Sequence, residues 1–293
     1  MAPRSTTEFA ATTDGAAFYR AYDRVLDKWP VTVTGVDLSS EFGTTRVNVC
    51  GPPDAPPIVL LPGGGATSTV WFANVAALSG HHRVYAVDLL GDVGRSRNHG
   101  TPVRLVEDLM SWIDAVTRAV GLTDFGLVGH SYGAMIALAY ALRAPHRVRK
   151  LALLDPSSCF AGMRTSYLAR AVPLLLRPTD KRERDFIRWE TGGQDMDADW
   201  LDLLARGAAH FPRSKTIIPR RPQRHALEKL AVDTTVILAA DSKVHHSRRL
   251  ATDLAKSLPR LRVLVLDNAT HHTMPMSPAA EVNEVLINAL AVR

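Results

Sequence analysis

A chain of 293 residues that is 46 % hydrophobic can bury a full core as one large domain, with or without an insertion. No stretch approaches the roughly 18 consecutive apolar residues of a membrane span, and the opening Met1-Ala-Pro-Arg-Ser-Thr-Thr-Glu-Phe9 has no apolar signal core. Together these predict a cytoplasmic protein without a membrane partner. The formal charge of +6 raises nucleic acid as a partner, but the basic clusters around Lys181 to Arg184 and Arg213 to Arg224 lack interleaved aromatics. They therefore read as solvated faces rather than a base-stacking groove.

In chain order, Val31 to Leu38 and Thr44 to Cys50 predict two short strands joined as an antiparallel hairpin through Glu41-Phe42-Gly43. Six continuous apolar runs follow: Pro57 to Leu61, Arg83 to Leu89, Phe125 to Val128, Lys150 to Leu154, Thr235 to Ala240 and Leu261 to Leu266. Such runs are what parallel strands covered by helices on both faces look like. Helical spacing separates them, at Val70 to Leu78, Val103 to Val120, Tyr132 to Arg143, Ser247 to Ser257 and Pro278 to Leu290. The alternation predicts an α/β fold. Between Pro156 and Arg224 it breaks. Only helical stretches appear there (Met163 to Leu176, Lys181 to Glu190, Asp197 to Ala208), punctuated by prolines. About 70 residues exceed what one crossover needs, so residues 157–224 are expected to form a helical cap on a core made of 1–156 and 225–293. Cys50 and Cys159 show no metal spacing and are expected to be reduced thiols.

Chemistry concentrates at Gly129-His130-Ser131-Tyr132-Gly133, between an apolar strand and a helix-forming run. A serine on a sharp strand-to-helix turn needs small neighbours, and the turn lifts its hydroxyl clear of the sheet. Serine is a poor nucleophile without a base, a group that orients the base, and donors for the oxyanion. After such an elbow the expected chain order is serine, acid, histidine. His271, on the loop leaving the last strand, is the candidate base, with His272 beside it. Asp241, at the end of the preceding strand, is the candidate acid. The oxyanion donors would be the N–H of Tyr132 and that of Gly64, in Leu61-Pro62-Gly63-Gly64-Gly65. That loop lacks the Gly-Lys-[Ser/Thr] ending and the Gly-x-Gly-x-x-Gly spacing of nucleotide sites. Trp71, Phe160 and Met274 are candidate substrate contacts.

These residues together resemble the α/β-hydrolase superfamily from about Val31 to the C-terminus, closest to its bacterial esterase-like branch. Four segments carry the likeness: Leu60 to Gly65, Val87-Asp88-Leu89-Leu90-Gly91-Asp92-Val93-Gly94-Arg95-Ser96, the Gly129 to Gly133 elbow, and Ala269-Thr270-His271. The resemblance implies a mostly parallel sheet of about eight strands with a helical cap insertion, and cofactor-free, metal-free cleavage through an acyl-enzyme. A small hydrophobic ester, or a related lactone or thioester, would be the substrate. Three departures stand out. The usual His-Gly of the oxyanion loop is Pro62-Gly63, the residue before His271 is Thr270, and Lys243 occupies the usual acid position with Asp241 two residues early. Asp155, after the sixth strand, is therefore the alternative acid. A slow-turnover ligand sensor or a non-hydrolytic accessory is the competing reading.

Overall fold

The computed structural model describes residues 5 to 291. Eight strands form one sheet: β1 (Thr34–Ser40), β2 (Gly43–Cys50), β3 (Pro57–Leu61), β4 (Arg83–Val87), β5 (Phe125–His130), β6 (Val148–Leu154), β7 (Asp233–Ala239) and β8 (Arg262–Leu266). Their spatial order is β1-β2-β4-β3-β5-β6-β7-β8. β1 pairs antiparallel with β2, and β2 with β4, while every other pair is parallel. The hairpin and the six apolar runs thus lie where the sequence predicts strands, with ends shifted by a few residues.

Eleven helices accompany the sheet in the described residues: α1 (Thr6–Ala10), α2 (Thr13–Leu26), α3 (Val75–Ser79), α4 (Val106–Ala119), α5 (Tyr132–Arg143), α6 (Thr165–Leu176), α7 (Asp180–Glu190), α8 (Ala198–His210), α9 (Arg224–Glu228), α10 (Ser247–Ser257) and α11 (Ala279–Leu290). Alternate strand residues divide the core in two. Ile58, Leu60, Val128, Leu154 and Ile237 face α3 and α11, while Val59, Leu61, Leu127, Leu153 and Leu238 face α4, α5 and α10. This is the period-2 consequence of a sheet buried on both sides.

Four helices, α6 to α9, lie between β6 and β7. No element was expected before Val31, yet α1 and α2 are there. Thr12 caps α2 by accepting from the Gly15 N–H, and Phe18, Ala21, Tyr22 and Val25 form its buried stripe. α2 is strapped to α8 by Arg24 with Asp199 and Asp202, by Lys28 with Asp197 and Asp199, and by Phe18 against Phe211 at 5.0 Å. The predicted helix over Val70 to Leu78 is divided: a 3-10 turn (Ser68–Ala73) precedes α3. The loops leaving β3, β5, β6, β7 and β8 all emerge at the carboxyl edge of the parallel strands, where sites of open α/β sheets assemble.

Candidate active site

β5 ends at His130 and α5 begins at Tyr132, so the turn is completed by one residue, Ser131, at φ 52° and ψ −113°. A non-glycine residue there is strained. The neighbours must be glycine. A Cβ on Gly129 would lie 2.4 Å from the Gly133 carbonyl oxygen, and one on Gly133 would lie 2.4 Å from those of Leu61 and Pro62. The Ser131 N–H bonds the Leu154 carbonyl at 3.0 Å, which fixes the elbow to the end of β6.

The Ser131 Oγ lies 2.8 Å from Nε2 of His271, and His271 Nδ1 lies 2.6 Å from Oδ2 of Asp155. An ionised carboxylate only accepts, so Nδ1 carries the proton and Nε2 is left to accept from the serine hydroxyl. Asp155 is fully buried and follows β6 at φ 37°. Its Oδ2 also accepts from the Ser242 hydroxyl at 2.8 Å. Its Oδ1 accepts from the Ala239 N–H and from His245 Nε2–H, each at 3.0 Å. Burial alone would push this carboxyl up, but the hydrogen bonds and charges of His245 and His271 hold it well below the usual carboxylate range.

The carboxylate facing His271 is thus that of Asp155, and the structure does not bring Asp241 to it. The Asp241 N–H bonds the Ala269 carbonyl, and its side chain is exposed in a groove with Lys243, His246 and Arg248. The physical reason lies in the loop leaving β7. Ser242 and His245 turn inward to Asp155, which leaves Asp241 outside. Lys243, at the position expected of an acid, donates its ammonium to the carbonyls of Trp189 and Glu190 and stacks on the Trp189 ring at 5.1 Å.

Two groups near the site escaped the sequence reading. Glu190, the last residue of α7, is fully buried. It accepts from the N–H groups of His271 (3.2 Å) and His272 (3.0 Å), the Thr270 hydroxyl (3.0 Å) and His272 Nδ1 (3.1 Å). Burial pushes its carboxyl up, but the hydrogen bond and charge of His272 and the charge of His271 hold it down to about 2. His130, within the elbow, donates Nε2–H to the His271 carbonyl at 2.9 Å, and burial pushes its imidazole down to about 3. The histidine side chain itself was the one signal for His130. Glu190 had none, since a glutamate closing a charged helix reads as solvated.

Gly64 packs beside Tyr132: a Cβ placed on it would meet the Tyr132 Cβ at 3.5 Å. Among the described residues the Gly64 N–H has no acceptor, nor does that of Tyr132 at the first position of α5. Asp92 holds the glycine loop by accepting from the Gly65 N–H at 2.8 Å. Trp71 and Met274, expected to touch substrate, are fully enclosed in the core on the α3 and α11 side and offer no open surface. Phe160 is half-buried against the opposite core cluster. A second small residue, Ser157, places its hydroxyl 3.2 Å from that of Ser131.

Comparison with known proteins agrees with this architecture. The chain is 34 % identical over 279 residues to carboxylesterase YbfK of Bacillus subtilis, covering 92 % of each chain. It is 30 % identical to the uncharacterised carboxylesterase nap of the same organism, covering 97 % of this chain and 95 % of that one. The crystal structure of naproxen esterase from Bacillus subtilis superposes with a TM-score of 0.87 at 26 % identity, over 94 % of this chain and 98 % of that one. The alpha/beta hydrolase family profile matches residues 58–285. With the elbow, the sheet order and these likenesses in agreement, the chain belongs to the alpha/beta hydrolase family.

Proposed function

We propose that this chain is a serine hydrolase of the carboxylesterase type, with Ser131 as nucleophile, His271 as general base, Asp155 as the acid and the N–H groups of Gly64 and Tyr132 as oxyanion donors. The observation that carries the reading is the unbroken hydrogen-bond chain from Ser131 through His271 to Asp155. The relatives named carboxylesterase support an ester as the bond cleaved. The irregular acid position is the feature that favours the sensor reading, and the contact of His271 with Asp155 supports the hydrolase reading over it.

In the proposed reaction, Ser131 Oγ attacks the ester carbonyl carbon while His271 Nε2 takes the hydroxyl proton. The carbonyl oxygen becomes an oxyanion within reach of the two free N–H groups. Asp155 stays ionised and stabilises the imidazolium. His271 then gives its proton to the departing alkoxide, and an alcohol leaves. Water repeats the sequence on the acyl-enzyme, with His271 as base, to release the acid and restore Ser131. Residues 157–224 would serve as the cap on the core, a role supported by Glu190 and Tyr167, which reach from α7 and α6 to the histidine loop.

A fluorophosphonate probe and a short p-nitrophenyl ester test this. The wild-type protein should label and hydrolyse, and Ser131→Ala should do neither while melting as the wild type does. An unlabelled wild-type protein, or a Ser131→Ala variant with full turnover, would overturn the proposal.

A further inference from the structure

Helix α6 presents two unlike faces. Its inner side carries Tyr167, Ala171 and Leu174, which pack on the core, and the Tyr167 ring stands edge-on to that of His271 at 6.3 Å. Its outer side carries Leu168, Val172, Leu175 and Leu176, at 42, 45, 75 and 80 % exposure. The spacing i, i+4, i+7, i+8 aligns these four in one stripe. Only six large hydrophobic side chains are exposed among the described residues, the other two being Leu105 and Ile218. Concentrating four of six on one helix is not the scatter of an ordinary surface.

The charge around the stripe is one-sided. From Arg164 to Thr179 the chain holds Arg164, Arg170 and Arg177 and no acid. Arg170 stacks on Trp189, and the three arginines have no carboxylate partner within salt-bridge reach among the described residues. The next helix adds Arg182, whose guanidinium donates to the carbonyls of Pro173 and Arg177. Of its four acids, Asp180 and Asp185 are engaged by Arg184 and Lys181, and Glu183 and Glu190 are buried. An apolar stripe edged by unpaired arginines fits the boundary between lipid headgroups and acyl chains, where leucines enter the hydrocarbon and arginines meet phosphates. A second copy of the chain would bring the same positive edge and repel itself.

We infer that α6 docks this protein on an anionic lipid surface, with the outer leucines inserted and Tyr167 left facing the triad. Among the described residues no helix is long and apolar enough to cross a membrane. A helix lying in the surface needs only one apolar face. That the cargo is an ester dissolved in the lipid rests on the hydrolase reading above; the docking itself does not.

Flotation with vesicles tests it, using phosphatidylcholine alone and phosphatidylcholine with about one third phosphatidylglycerol. The wild-type protein should float with the anionic vesicles at least about tenfold better than with the neutral ones, and added salt should weaken it. The exposed double variant Leu175→Ser, Leu176→Ser should lose that binding yet hydrolyse a short water-borne ester as the wild type does. Wild-type protein that stays off anionic vesicles, or a double variant that binds them equally, overturns the docking. So does a dimer in light scattering that the double variant converts to monomer without any vesicle binding, since a second copy would then cover the stripe. Failure to react with the fluorophosphonate while vesicle binding persists would remove the hydrolase reading and leave the docking standing.

Discussion

Four donors converge on the Asp155 carboxylate: a backbone N–H of β7, a serine hydroxyl and two imidazoles. A buried charge is tolerable only when its lone pairs are so occupied. The same donors that hold it in place aim Oδ2 at His271. Asp155→Asn should therefore lower kcat by at least roughly a hundredfold, about 2.7 kcal/mol of barrier, with little change in KM. Asp241→Asn, on an exposed side chain, should stay within about twofold of the wild type. His245 supports the same carboxylate from the other side, so His245→Leu should give a milder loss, about tenfold, that His245→Gln largely restores because its amide can still donate. Steady-state kinetics on variants with unchanged melting decides. Turnover abolished by Asp241→Asn and untouched by Asp155→Asn would reverse the assignment.

Glu190 shows how a helix can serve a loop it does not belong to. α7 ends where its last side chain reaches two consecutive backbone N–H groups of the histidine loop, and Lys243 fixes the same helix end from the β7 side. Glu190→Gln removes the charge and some acceptors, and kcat should fall about tenfold through a loosened His271. The variant also has a pH signature. The folded carboxyl lies at about 2, below its ordinary 4.5, so its stabilisation is complete above 4.5 and is lost as pH falls towards 2. Glu190→Gln should thus lower Tm at neutral pH and flatten the decline of Tm between about pH 5 and pH 3, as thermal melts across that range would show. Elements were the legible part of this chain. Strands buried on both faces leave unbroken apolar runs, and the elbow declares itself by Gly129 and Gly133. What was not legible depends on side-chain direction after a strand ends. Asp155 and Asp241 both follow strands, and nothing in their neighbours' sequence says which one curls inward. Lys243 at the expected acid position signalled the problem without revealing the answer. α2 was legible in principle, for Phe18, Ala21, Tyr22 and Val25 have helical spacing, but its partner α8 lies far along the chain.

At the scale of the whole molecule, two core layers sandwich the sheet, and the α6 to α9 segment is secured unevenly above its carboxyl edge. α8 is bound to α2 by ion pairs and a tilted aromatic contact, and α7 is bound to the histidine loop by Glu190. α6 has a single buried residue, Ala171, and carries a proline within its length. Few buried contacts mean low local stability. The consequence is a pattern of protease susceptibility. Brief trypsin treatment of the native protein should cut first after Arg164 or Arg170, Arg177 being shielded by the proline that follows it. Gel electrophoresis under denaturing conditions would show two fragments, and early cleavage at Arg24 or Arg147 instead would contradict the picture. In native buffer the fragments should travel as one particle. β6 on the first and β7 on the second remain paired through the register Lys150↔Asp233 to Leu154↔Ile237, so the chain can be nicked without coming apart.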